Sequence, residues 1–354
     1  MRLGPGLHAF GQTFATLRYS IPLFILSTVP IGFMLSGFWA WLTVAILPIC
    51  LPLLDWMLGG DDSVHPDRDV VGYRFLPWLY IGLQIATTIW AGIAISRPGT
   101  TMVEATGLTA SVGLMAGIFG FLSAHEMVHS DRPGERAAGL MLLASVLYMH
   151  FRIAHIQGHH RRAATAADPA TARLGEGAYR FLCRSVVGQI REAWSFEAAR
   201  LTNKRAKVLG PENRMLQYFA IEAAILVCVA LLGGPALAFF LAQAALAVIL
   251  LELFNYVAHY GLARRRLPGG RYERLDARHS WNSTRRMNNW TLFNMGRHSD
   301  HHRFTTRHYQ CLEPLPHSPE LPSGYASAIL MALVPPLWKR VMDPRARVWR
   351  DAAA

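Results

Sequence analysis

Six stretches of this sequence run for about 20 residues with almost no charge, near 19–36, 39–58, 75–96, 102–123, 215–233 and 235–257. A helix needs about 20 apolar residues to cross the hydrocarbon core of a bilayer. The pattern therefore predicts an all-α integral membrane protein of about six transmembrane helices. Ser36-Gly37 and Gly233-Gly234-Pro235 read as turns that close the first two and last two runs into hairpins. A seventh run, 137–149, is too short to span and is expected to return toward a site or pack as a core helix. The chain is 52% hydrophobic and 16% charged, against about 25% charged in soluble proteins.

Charge placement predicts orientation. Of 35 Lys and Arg, 14 lie in 130–214 and 16 in 261–354. Basic loops stay in the cytoplasm, so both segments, both termini and the 59–74 loop are expected inside an inner (cytoplasmic) membrane. The expected organisation is one membrane domain, 1–354, with a cytoplasmic cap built from 125–214 and 258–354. On this reading the net charge of +12 reports topology and not nucleic-acid binding. Cys50, Cys183, Cys228 and Cys311 form no C-x-x-C pair, so no cysteine zinc or iron–sulfur site is visible and a disulfide framework is not expected. The first apolar run lacks a small-residue cleavage signal and is read as a retained helix.

Nine of the 15 histidines fall in four tight groups. These are His125 and His129 in HEMVH, His155, His159 and His160 in AHIQGHH, His259 in NYVAHYG, and His298, His301 and His302 in GRHSDHH. Residues three or four apart share a helix face, so His125/His129, His155/His159, His298/His301 and His298/His302 are each expected to aim two imidazoles at one point. Neutral imidazole suits iron, copper, nickel and zinc. A single zinc takes about four protein ligands, so nine clustered histidines point to two metal ions. His8, His65, His279, His308 and His317 stand apart and are read as non-ligands. His150, in YMHFRIAH, is expected to support a ligand by hydrogen bonding.

The carboxylates are assigned supporting roles. Glu126 and Asp300 are expected to hold neighbouring imidazoles. No second Glu-x-x-His accompanies the one that Glu126 begins, so the carboxylate di-metal bundle is unsupported. Glu252, near the end of the sixth run, is costly at membrane depth and is expected to serve the site. Asp55, late in the second run, raises the same question. Taken alone, HEMVH would be a zinc hydrolase signature, but that reading leaves the other seven histidines unexplained. A metal transporter would place ligands across the bilayer and not at one end of the runs.

In these motifs and their order the chain resembles the integral-membrane alkane monooxygenases of the fatty-acid desaturase–hydroxylase superfamily. The resemblance covers roughly 70–345 and includes GHHRRAATAADPATARLGEGAYRFLCRSVVGQI, HSWNS, RHSDHH, RHYQCLEPLPHSPELPSGY and ALVPPLWKRVMDP. It implies that the nine clustered histidines ligate two iron ions. It also implies O2-dependent hydroxylation of a terminal methyl group, with electrons from rubredoxin (or a ferredoxin) and an NADH-dependent reductase. The apolar substrate would enter from the membrane, and Trp39, Trp41, Trp56 and Trp90 are candidates to line its path or to anchor the protein. The family usually carries Glu before the second and third histidine groups, where this chain has Ala154 and Ala258, and a basic residue at Ser130. Ala154 is closer to the xylene monooxygenase hydroxylase, which implies aromatic methyl groups as alternative substrates. A desaturase with the same metals is the remaining alternative.

Overall fold

A computed structural model describes residues 16–63 and 71–351, so His8 and His65 lie outside the described residues. The described chain is helical, with isolated bridges such as Gly60–Arg285 and no β-strand. Among the described residues, four helices are long and apolar enough to cross a membrane: α2 (Gly37–Leu58), α3 (Gly72–Ile95), α4 (Met102–His129) and α9 (Gly234–His259). They coincide with four of the expected runs. The other two form shorter helices, α1 (Arg18–Met34) and α8 (Arg214–Ala230). The seventh run becomes α5 (Pro133–Ala144), packed along the end of α4.

Local chemistry sets the element boundaries. Thr101 and Glu104 form a reciprocal capping box at the start of α4. The same Glu104 accepts the Gly37 N–H at 2.8 Å, which joins the α1–α2 turn to α4. Gly233, at φ +111°, makes the sharp turn before α9, and Pro235 occupies its first turn. At the α4–α9 contact, a Cβ on Gly117 would lie 2.7 Å from Ala247 Cα. Small residues here let the two backbones approach closely. α4 runs on past 123, so HEMVH forms its last turns. His259 likewise ends α9.

Six further helices complete the molecule. Residues 151–162 form α6, whose centre, Ala154–His159, winds as a π-helix. α7 (Ala178–Asn203) buries Phe181, Ser185, Gln189, Ala193, Glu197 and Leu201, one residue every four, against α6 and α9. α10 (Arg286–Thr291) and α11 (His298–Arg303) are short. α12 (Tyr325–Ala332) and α13 (Pro335–Asp351) follow, with Trp338, Met342 and Ala346 of α13 buried. Glu252 is fully buried and accepts from Tyr148 Oη (3.0 Å), Ser185 Oγ (2.6 Å) and Gln189 Nε2 (2.7 Å). It knits α7, α9 and the turn before α6, and none of these partners is a clustered imidazole. Asp55 accepts the Asn288 N–H at 2.6 Å and so pins α10 to α2.

Candidate metal centre

The structure gathers all nine clustered histidines and sorts them into two groups. His125, His129, His155, His160 and His301 form one, and His159, His259, His298 and His302 the other. Within each group the ligand-type nitrogens lie within 4.8 Å of one another. Two of the expected pairs hold: His125/His129 on α4 and His298/His302 on α11 each share a group. The other two divide. His155 and His159 fall in different groups, as do His298 and His301. The π-helical turn explains the first division. Winding from i to i+5 brings His160, not His159, over His155, with Nε2 to Nε2 at 2.9 Å. His159 is thereby released to face His259 and His302, at ring separations of 4.8 and 4.9 Å.

The nitrogen geometry suits metal ions and does not suit hydrogen bonding alone. His129, His155 and His160 set three Nε2 atoms at 2.9 to 3.1 Å from one another. Each Nε2 carries either one proton or one lone pair. Around a triangle these cannot alternate, so at least one contact sets like against like. A cation that takes a lone pair from each removes the conflict. Two nitrogens bound at about 2.1 Å and at right angles on one ion lie about 3.0 Å apart. In the second group His298 Nε2 lies 3.2 Å from His259 Nε2 and 3.1 Å from His302 Nε2. His159 Nε2 and His301 Nε2 are buried without a hydrogen-bond partner. Burial, and then charge on neighbouring rings, pushes His155, His160, His298, His301 and His302 well below the usual imidazole range. They are neutral and ready to ligate. Neither group contains a carboxylate.

The support for these rings differs from expectation. Glu126 faces away from the groups and pairs with His308 Nδ1 at 3.0 Å. Asp300 accepts from Arg307 (2.8 Å) and the Glu313 N–H (3.0 Å), which braces the loop after α11 and not an imidazole. His150 packs its ring against Tyr148 at 4.3 Å and lies outside both groups; burial pushes it down to about 4. The carboxylate that holds a clustered ring is Asp168, whose Oδ2 lies 2.9 Å from His159 Nδ1 and also accepts from Thr171 Oγ1 at 2.7 Å. Burial alone would raise the Asp168 carboxyl, but His159 and Thr171 hold it below its ordinary value. His259 Nδ1 is 3.1 Å from the carbonyl of His279, whose own ring is fixed by Glu273 and Asp276. Nothing in the spacing of Asp168 singles it out, because it belongs to a loop brought back by the fold. His279, His308 and His317 belong to neither group.

One apolar cavity reaches the centre. His125, His155 and His298 close one end, and Phe121, Phe151, Leu251 and Phe254 form its wall. It extends to Leu51 on α2 and Ile329 on α12. None of Trp39, Trp41, Trp56 and Trp90 lines it; Trp39 and Trp56 are exposed, Trp41 donates to the Val103 carbonyl, and Trp90 packs on Phe33.

The chain is similar to several known proteins. A family model, fatty acid desaturase, matches residues 102–329. Alkane 1-monooxygenase 1 of Pseudomonas aeruginosa is 40% identical over 324 residues, covering 88% of this chain and 84% of the relative. Alkane 1-monooxygenase 2 of Alcanivorax borkumensis is 36% identical over 325 residues, 89% of this chain and 85% of the relative. The xylene/toluene monooxygenase hydroxylase component of Pseudomonas putida is 29% identical over 343 residues, 94% of this chain and 90% of the relative. The chain is a membrane-type oxidoreductase that belongs to the fatty acid desaturase family and, within it, to the family of the alkane 1-monooxygenases.

Proposed function

We propose that this chain hydroxylates the terminal methyl group of an alkane to a primary alcohol, consuming O2, at a di-iron centre held by the nine histidines. The observation that carries the reading is the pair of all-imidazole groups closing the end of an apolar cavity. His125, His129, His155, His160 and His301 would hold one iron, and His159, His259, His298 and His302 the other. Bound iron supplies the O2 activation and the strong oxidant that an unactivated methyl C–H bond requires. The chain supplies the rest. Neutral buried rings present lone pairs, and Asp168 fixes the orientation of His159. Phe121, Phe151 and Phe254 exclude water and aim an alkyl end at His125, His155 and His298.

The six-helix topology belongs to the same proposal. α1 and α8 complete six membrane helices, with the histidines and both termini on the cytoplasmic side of the inner membrane. Electrons would come from a separate rubredoxin and its NADH-dependent reductase. Arg162, Arg173, Arg180, Arg184 and Arg191 line a wide groove beside α6, a surface that complements an acidic donor. The relative of xylene/toluene type supports a second reading, oxidation of aromatic methyl groups.

Metal analysis and product analysis test the proposal together. Purified protein is expected to hold two irons per chain, and a single zinc would refute the di-iron reading. Cells or membranes given octane, hexadecane and p-xylene are expected to yield primary alcohols from the alkanes. Oxidation of p-xylene alone would favour the second reading, and recovery of alkenes only would rule out hydroxylation.

A further inference from the structure

A second apolar cavity lies away from the histidines, and the proposed reaction makes no use of it. It is an open groove of about 790 Å³ between α3, α5, α8 and α9. It shares no lining residue with the cavity that His125, His155 and His298 close. Tyr218, Ile221, Ile225, Cys228 and Leu232 form its α8 wall. From Gln217 to Leu232, at about 1.5 Å per residue, it runs about 22 Å. One leaflet's share of the hydrocarbon core is about 15 Å, so the groove is long enough to hold a whole acyl chain. Its polar wall residues Thr88, Ser145 and Gln217 bond the carbonyls of Gln84, Leu142 and Pro211. Much of the remaining wall is exposed apolar surface, including Ile89, Met141, Ile221 and Leu232.

The two ends of this groove differ in charge. Ala137 and Gln217 mark one end. Arg132 precedes α5 and Arg136 lies in its first turn, and the turn 204–213 carries Lys204, Arg205 and Lys207. Hydrogen bonds hold that turn against the start of α8: Asn213 Nδ2 donates to the Val208 carbonyl (2.7 Å) and Gln217 Nε2 to that of Pro211 (2.8 Å). Lys204, Arg205 and Lys207 are exposed. Against these five cations stand Asp131, Glu212 and Glu135, the last paired with Arg74. Leu209, in the same basic turn, is 78% exposed, which suits a turn that dips into a membrane surface. The opposite end, where 230–236 turns from α8 into α9, holds no charge. A second copy related by a twofold axis would set this trough against itself and fill neither. We infer that the groove binds an anionic two-chain phospholipid, with an acyl chain along α8 and the phosphate headgroup at Lys204, Arg205 and Lys207. Each basic residue near an anionic lipid surface favours binding about fivefold, so the turn selects the headgroup while the groove holds the chain.

The test titrates the full chain, purified in neutral detergent, with phosphatidylglycerol or with phosphatidylcholine of the same acyl chains, and reads binding by native mass spectrometry. Wild type is expected to hold one phosphatidylglycerol per chain about tenfold more tightly than phosphatidylcholine. Cys228 is exposed within the groove and Cys183 is exposed outside it, so bound phosphatidylglycerol is expected to shield Cys228 from N-ethylmaleimide and leave Cys183 reactive. Joint replacement Lys204→Glu, Arg205→Glu and Lys207→Glu is expected to bring the preference to near one. Ala224→Trp, which fills the groove, is expected to weaken both lipids about tenfold with iron content kept. Equal binding of the two lipids by wild type overturns the inference, as does a preference that survives the charge reversal or phosphatidylglycerol bound without shielding Cys228. Oxidative cross-linking of Cys228 to Cys228 of a second copy in lipid overturns it too, because a second copy then fills the groove. The wild-type and charge-reversal measurements decide alone if Ala224→Trp fails to fold.

Discussion

At the scale of single residues, the supporting partners carry the sharpest consequences. Asp168 holds His159, so Asp168→Ala is expected to weaken metal retention about 10- to 100-fold, measured as iron per chain after dialysis against a graded chelator. Glu126→Gln is expected to retain its iron in the same assay, because Glu126 pairs with His308 outside both groups. The contrast separates the observed support from the one that motif adjacency suggests. Glu126 sits one residue from His125, and a helix turns neighbouring residues to different faces. Histidine identity was legible from spacing; the ring that each carboxylate reaches was not, because Asp168 arrives through a loop.

At the scale of elements, the π-helical turn at Ala154–His159 decides which metal group each histidine joins. Ordinary helical spacing pairs His155 with His159, and nothing in that spacing marks the wider turn. The turn is packed tightly, since a Cβ on Gly158 would collide with the Glu192 carboxylate that pairs with Arg162. α7 was hidden for another reason. Its stripe of Phe181, Ser185, Gln189, Ala193, Glu197 and Leu201 is half polar and hides from a search for apolar runs. Gly117→Val is expected to force α4 from α9 and cost about 1–3 kcal/mol, read as a lower unfolding temperature in detergent. Glu197 pairs with Arg200 of its own helix and joins α7 to α8 through Arg214. Burial alone would raise its carboxyl, but hydrogen bonds from these arginines hold it at about 2. Its folded value is depressed, so its stabilisation is complete above the ordinary carboxylate range and is lost as pH falls toward about 2. Wild type is therefore expected to melt higher than Glu197→Gln at pH 7, with the gap closing progressively as acid is added below the ordinary carboxylate pKa.

At the scale of the whole molecule, metal and fold are coupled. The nine clustered rings pack against one another in two groups, so ions that take up their lone pairs stabilise the folded chain. Chelator treatment is expected to lower the unfolding temperature, and restored iron to recover it. The arginine groove gives a second whole-molecule expectation. Charge reversal at Arg180 and Arg191 is expected to raise KM for an acidic electron donor about tenfold, with little change in iron content, and the effect should shrink at high salt.

The sequence by itself pointed to the helical membrane class and to nine clustered histidines suited to metal binding. Those follow from composition and local period, which act along the chain. Six runs met the length rule in sequence, whereas among the described residues four helices are long and apolar enough to cross a membrane. The tertiary structure alone decided how the histidines divide and that Asp168, and not Glu126 or Asp300, holds a ring. These depend on which segments meet in space. Contacts between residues far apart in the chain leave no period in the sequence to read.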